Sequence, residues 1–186
     1  MPSLHLHHTT ITTGRCDLLR EQVDAIVNPA NEGLAHGGGL AAIIARAAGP
    51  QLEDESRAHP RVPTGEAGVT TAGDLPQRAV IHAVGPVWHG GDQREPDLLA
   101  GAHRSAIALA DQRGFGSIAF PAISCGIFGY PVQLAAPVAL AATARAVLDH
   151  PAVRLVRFCL ASEEHERAFA DALDALTRQL GPGAGT

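Results

Sequence analysis

Short apolar bursts alternate along the chain with longer stretches of helical period. "LHLHHTTIT" (4–12) alternates apolar and polar positions and reads as a first strand. "DAIVN" (24–28) is a compact apolar run, suited to a buried strand. Leu40, Ile43, Ile44, Ala47 and Ala48 then recur at helical spacing, and the pattern stops at Gly49-Pro50. "VTTAG" (69–73) and "RAVIHAVG" (78–85) predict two strands joined through "DLPQ". Helices are predicted over 96–114, with Gly114 as the stop, and over 131–150, with Pro131 at the entrance. "SIAFPA" (117–122) and "VRLVRFCLA" (153–161) predict further strands. Ser162 fits an N-cap, and Glu163 and Glu164 suit the first turn of a last helix.

Strands rich in Val, Ile and Ala alternating with helices predict an α/β protein: a three-layer α/β/α sandwich around a mixed, mostly parallel sheet. One domain over 1–180 is expected, with 181–186 as a flexible tail. Ligands of such sheets bind at the carboxyl ends of the strands.

Composition removes several function classes. Net charge is −5 with no basic cluster, so no nucleic-acid partner is expected. No apolar run reads as a membrane span, and the first residues lack a signal-peptide pattern. All 14 basic residues are arginine. That excludes Schiff-base chemistry and the P-loop lysine. Three cysteines without CxxC spacing predict neither a disulfide framework nor a cysteine metal site, and a cytoplasmic setting is expected. His5, His7 and His8 lack a zinc-site pattern and read as a solvated strand, so no metal is expected.

The chemistry gathers in two strand-to-helix turns, "NPANEGLAHGGGLA" (28–41) and "PAISCGIFGYPV" (121–132). N–H groups at a helix start carry partial positive charge and bind anions. Glycine lets an anion approach without a Cβ in the way. Two such loops can clamp a diphosphate with no basic side chain. Asn28 reads as a turn former, His82 as a satisfied core histidine, and Cys125 as a small loop residue rather than a nucleophile.

Taken together, "VDAIVNPAN" (23–31), "HGGGLA" (36–41), "PTGEAGVTTAGDLP" (63–76), "VIHAVGP" (80–86) and "FPAISCGIFGYP" (120–131) resemble the macrodomain family of ADP-ribose-binding proteins. The resemblance implies that Asp17, with Leu18 beside it, accepts from the adenine amino group. The usual Gly-Asp pair is here Cys16-Asp17. Asn31 would hold the distal ribose, with His36 close by. Gly37, Gly38, Gly39 and Leu40 would face the distal ribose and diphosphate. Ser124, Cys125, Gly126, Ile127 and Phe128 would form the diphosphate loop, Phe128 packing on the ribose. Family members include hydrolases and pure binding modules. One hydrolase branch has an aspartate in a GGG-V-D pattern where this chain has Ala41. The expected function is hydrolysis of mono-ADP-ribose from acidic side chains, and of O-acetyl-ADP-ribose, with Asn31 and His36 as catalytic residues, no cofactor, and ADP-ribosylated proteins as partners of a monomer. A reader without turnover is the alternative.

Overall fold

The computed structural model describes residues 2–181. The tail expected at the carboxyl end lies, apart from Gly181, outside them. Seven strands form one sheet: β1 (Ser3–Leu6), β2 (Thr9–Arg15), β3 (Ala25–Ala30), β4 (Ala67–Thr71), β5 (Ala79–Val84), β6 (Ser117–Phe120) and β7 (Leu155–Leu160). Their order is β1-β2-β7-β6-β3-β5-β4. The five inner strands run parallel, and the edges β1 and β4 are antiparallel to their neighbours. Helices α3 (Glu95–Gln112), α4 (Val132–Asp149) and α5 (Glu163–Leu180) cover one face. Helices α1 (Gly39–Ala48) and α2 (Pro50–Ala58) cover the other. The three-layer sandwich is therefore as the strand and helix pattern predicts.

The pleat explains why the inner strands read as unbroken apolar runs. Along β3, Ala25 and Val27 enter the core beneath α3 and α4, while Ile26 between them enters the core beneath α1 and α2. Both faces are covered by helices, so apolar residues can occupy successive positions.

Three sequence expectations change. The single first strand is a hairpin, β1 and β2, turned at His7 in the left-handed region (φ 47°). Its alternation runs through the turn, which hides it. Pro50 does not only end α1; it also opens α2, with Gly49 (φ 80°) as a cap shared by both helices. Proline suits the first position of a helix because its missing N–H would have no partner there. The buried stripe of α1 is Ala41, Ile44, Ala45 and Ala48, while Ile43 is 51% exposed. The large side chain of Ile43 faces the cleft described below, and small alanines pack inward.

Other signals hold. Gly114 (φ 65°) ends α3, and Ser162 Oγ accepts from the His165 N–H at 3.2 Å. By length and composition alone α4 could cross a membrane, yet it lies between α3 and α5, and its alanines fill the core.

Candidate functional site

The carboxyl ends of the parallel strands open into one cleft of about 590 Å³. The residue or two after each strand reach it: Cys16 after β2, Asn31 after β3, Gly85 after β5, Pro121 after β6 and Ala161 after β7. Two loops wall it. The first runs from Asn31 to the start of α1, and the second from Pro121 to α4.

In the first loop Asn31 folds over its own chain. Its Oδ1 accepts from the Ala35 N–H and its Nδ2 donates to the Ala35 carbonyl, both at 2.9 Å. One N–H and one lone pair of the amide keep no partner among the described residues, and Asn31 lines the cleft. The N-cap of α1 is Gly38, with no capping side chain. Among the described residues, no acceptor meets the N–H groups of Gly38, Gly39 or Leu40. Gly38 has an extended backbone that any residue adopts, whereas Gly39 is left-handed (φ 57°). A Cβ on Gly39 would also lie 3.2 Å from Ile127 Cδ1 of the opposite loop.

The second loop is held by three of its own bonds: Cys125 N–H to the Ala122 carbonyl, Gly129 N–H to the Gly126 carbonyl, and Tyr130 N–H to the Ser124 carbonyl. Among the described residues, no acceptor meets the N–H groups of Ser124, Gly126, Ile127 and Phe128. Ser124 itself is left-handed (φ 66°) and 4% exposed. Gly85 lies directly beneath it: a Cβ there would stand 2.2 Å from Ser124 Oγ and 2.5 Å from Ile123 Cγ2. Phe128 lines the cleft, and its carbonyl accepts from the Trp88 N–H at 2.8 Å.

Trp88 packs against Tyr130 with the rings tilted at 43° and belongs to a loop clasped by Glu95, a residue 1% exposed. Glu95 accepts from the N–H groups of His89, Gly91 and Gln93 at 3.0, 3.1 and 2.5 Å. Sequence reasoning had no signal for this clasp beyond an acidic residue at a helix start. Glu95→Gln replaces one acceptor oxygen with a donor that faces N–H groups. A lower melting temperature in calorimetry is expected, with a weaker cleft ligand in the same titration; an unchanged melting temperature contradicts the role.

Asp17 sits at the far end of the cleft as N-cap of a short 3-10 turn, Leu18–Arg20, accepting from the Leu19 N–H at 3.1 Å. Its other carboxylate oxygen is 3.4 Å from Arg20 Nε, and the group stays largely exposed. Leu18 is buried and lines the cleft. Of the expected site residues, the structure gathers Asp17, Leu18, Asn31, Gly37, Gly38, Gly39, Leu40, Ser124, Gly126, Ile127 and Phe128 around one space.

Two expected residues face elsewhere. Cys125 is not among the cleft-lining residues. Its Sγ contacts the Ile123 carbonyl, and burial pushes the thiol up to about 12. Such a thiol is a poor nucleophile, in line with its reading as a small loop residue. His36, expected beside the distal ribose, turns its ring inward, and both ring nitrogens are occupied. Its Nδ1 faces Asn28 Nδ2 at 3.4 Å, and its Nε2 faces Ser56 Oγ at 3.0 Å. Burial lowers its pKa.

Asn28 is not a turn former. It is a buried residue of β3 that bonds His82 Nδ1 at 3.0 Å as well as His36. With Asn28 Nδ2 donating, both imidazoles accept at Nδ1 and carry their proton at Nε2. His82 then donates to Thr70 Oγ1 at 2.9 Å, which donates to the Thr71 carbonyl. Burial, the His36 and His59 rings aiding, pushes His82 down to about 3. It is thus the satisfied core histidine expected, within a chain that fixes His36 and the loop carrying it.

Among the described residues, no arginine lines this cleft, and the one imidazole that does is His165. What faces an anion there is backbone.

Residues 27–139 match the sequence model of the Macro domain family. A macro domain-containing protein of Cupriavidus necator is 45% identical over 161 residues, covering 84% of this chain and 93% of the relative. A protein of Enterobacter cloacae named O-acetyl-ADP-ribose deacetylase is 43% identical over 167 residues, covering 88% and 89%. Among solved structures, an Oceanobacillus iheyensis macrodomain with ADP superposes with a TM-score of 0.90 at 32% identity, covering 96% of this chain and 97% of the other. A Trypanosoma brucei macrodomain in complex with ADP-ribose gives 0.81 at 35% identity, covering 88% and 68%. Two glycine-bearing loops with open amides, set at the carboxyl ends of a five-stranded parallel core, thus come with matching sequence and matching architecture, and the chain belongs to the macro domain family.

Proposed function

We propose that the cleft holds ADP-ribose and that the protein is a hydrolase acting at the distal ribose. It would release mono-ADP-ribose from acidic side chains of proteins and would take O-acetyl-ADP-ribose in the same cleft, both being esters of that sugar. The observation that carries the reading is the convergence of two sets of unpartnered N–H groups, those of Gly38 to Leu40 and those of Ser124, Gly126, Ile127 and Phe128, on one space that no arginine among the described residues lines. Helix starts and glycine turns of this kind suit a diphosphate. Relatives named deacetylases, and structural neighbours holding ADP or ADP-ribose, support it.

Each residue then has a part. Asp17 accepts from the adenine amino group, and Leu18 packs beside the base. The two loops hold the diphosphate, and Phe128 covers the distal ribose. Asn31 offers that ribose its remaining N–H and lone pair. In the protein-linked ester, a water oriented by the ligand's own phosphate attacks the anomeric carbon; the carboxylate leaves with the bonding electrons, and the water's proton passes to the phosphate or solvent. Bringing these atoms together is proximity catalysis, and loop amides offset the growing charge. His36 does not reach substrate from its inward position; it acts as a positioning residue through Asn28 and Ser56. Without an acid–base pair, turnover should be slow.

Ala41 favours a second reading, a module that binds ADP-ribosylated proteins without turnover, because it stands in the cleft wall where one hydrolase branch has an aspartate. Incubation with a protein carrying carboxylate-linked, radiolabelled ADP-ribose separates the two. Free ADP-ribose is expected. Binding without release assigns the protein to the reader class.

Two variants test the parts. Asp17→Ala should weaken ADP-ribose by about 1.5 kcal/mol in calorimetry, through loss of a charge-assisted hydrogen bond. Unchanged affinity would remove Asp17 from the adenine. Asn31→Ala should lower turnover about tenfold, with a smaller rise in KM, because misplacing the reacting carbon harms the transition state most. Undiminished turnover would leave the fold standing and remove Asn31 from the mechanism.

A further inference from the structure

We propose that Cys16 and Cys159 form an oxidisable thiol pair built into the wall of the cleft, and that closing their disulfide weakens ligand binding at the Asp17 end. The ligand half of this proposal rests on the ADP-ribose reading above; the thiol half does not.

The two cysteines are 143 residues apart in sequence, and their Sγ atoms are 2.8 Å apart. Parallel pairing makes this contact. Cys159 is in β7, where it registers with Gly14 of β2, and Cys16 follows just past the end of β2. A disulfide needs sulfurs brought to about 2.05 Å, so a shift of less than an ångström suffices. Cys159 is 5% exposed and Cys16 is partly open, and both line the cleft. An oxidant arriving through the cleft therefore meets Cys16 first, with Cys159 behind it to resolve the product.

A metal ion is the competing occupant, since Glu21 lies near both sulfurs. Two observations favour the disulfide. Zinc holding two thiolates in a tetrahedron keeps them about 3.8 Å apart, wider than this pair. The Glu21 carboxylate is already ion-paired with Arg157 at 3.0 Å.

The oxidant is a low-molecular-weight disulfide such as oxidised glutathione. The Cys16 thiolate attacks it, forming a mixed disulfide and releasing one thiol. Cys159 Sγ then attacks the Cys16 sulfur and releases the second thiol. The two cysteine protons end on the two released thiols, so the step balances. Burial raises both thiols above their ordinary range, and the reaction should quicken with rising pH.

Cys16 directly precedes Asp17, whose backbone and carboxylate set the 3-10 turn at the edge of the cleft. Drawing Cys16 toward β7 moves that carboxylate. Loss of its bond to a ligand corresponds to about a tenfold fall in affinity.

The test uses the full chain, reduced and then treated with oxidised glutathione at alkaline pH. Peptide mapping without reductant should show Cys16 joined to Cys159 and Cys125 unjoined. Calorimetry should show ADP-ribose bound about tenfold more weakly by the oxidised form, restored by reductant. Cys16→Ser and Cys159→Ser should each abolish the link and the oxidant-dependent change. Absence of the link after prolonged treatment overturns the proposal, as does tight zinc binding by the reduced protein that blocks oxidation. A link without any change in affinity overturns the coupling to the cleft. Failure of the reduced protein to bind ADP-ribose at all counts against the ligand reading, while the peptide map still decides the thiol pair.

Discussion

Gly85→Ala is expected to lose ADP-ribose binding by about a hundredfold or more, from the addition of one methyl group. The added carbon would stand 2.2 Å from Ser124 Oγ and 2.5 Å from Ile123 Cγ2. The serine hydroxyl can rotate away. The isoleucine methyl cannot do so cheaply, because a β-branched side chain is stiff at χ1 and Ile123 is 2% exposed. The loop backbone must therefore move, and with it the row of N–H groups from Ser124 to Phe128. Overpacking of this kind costs about 1–3 kcal/mol of stability, so the variant should still fold. A thermal melt with and without ADP-ribose measures both effects: a modest drop without ligand, and no ligand-induced rise. Normal stabilisation by ligand would mean that the loop absorbs the methyl group and that its amides do not set affinity.

Mild acid, near pH 5, should already destabilise the protein. His82 and His103 are both fully buried and neutral. Burial pushes His103 down to about 4 and His82 to about 3. His103 donates to the Leu99 carbonyl at 2.8 Å, stacks on Phe120, and has no partner at Nε2. Both pKa values lie below the unfolded value of 6.5. Below pH 6.5 the unfolded chain therefore binds two protons that the folded chain refuses. Stability is intact above pH 6.5 and is lost as pH falls toward 4 for His103 and toward 3 for His82. At pH 5 each contributes about 2 kcal/mol of loss, about 4 kcal/mol together. Urea melts at pH 7.5 and pH 5 measure this. His103→Gln should remove roughly half of the difference. Equal midpoints at the two pH values would mean that these imidazoles are not buried neutral.

The legible parts of this protein were those written in local pattern. The inner strands are short apolar runs because both faces of the sheet are covered. Gly114 and Ser162 punctuate helices by backbone and side-chain chemistry that acts within a few residues. The two binding loops stood out because glycine clusters are costly without a reason. What the sequence did not reveal depends on contacts between distant segments. The ring of His36 could face the cleft or the core; only its meeting with Asn28 and Ser56 decides. Asn28 resembles a turn residue until β5 places His82 beside it. Cys16 and Cys159 carry no spacing signal because strand pairing, not sequence distance, joins them. Helix α2 was hidden because Gly49-Pro50 is equally good as the end of one helix and the start of the next.

A ligand site made of peptide dipoles also behaves differently from one made of charged side chains. A diphosphate held by arginines or lysines loses affinity as salt screens them. Fixed amide hydrogens at contact distance, far inside a Debye length, are screened little. The acidic surface adds no long-range attraction that salt could remove. Affinity in this protein should therefore stay nearly level as ionic strength rises, and single polyanions should gain nothing from being more highly charged. Selectivity rests on whether a ligand's oxygens fall where the chain has already pointed its hydrogens.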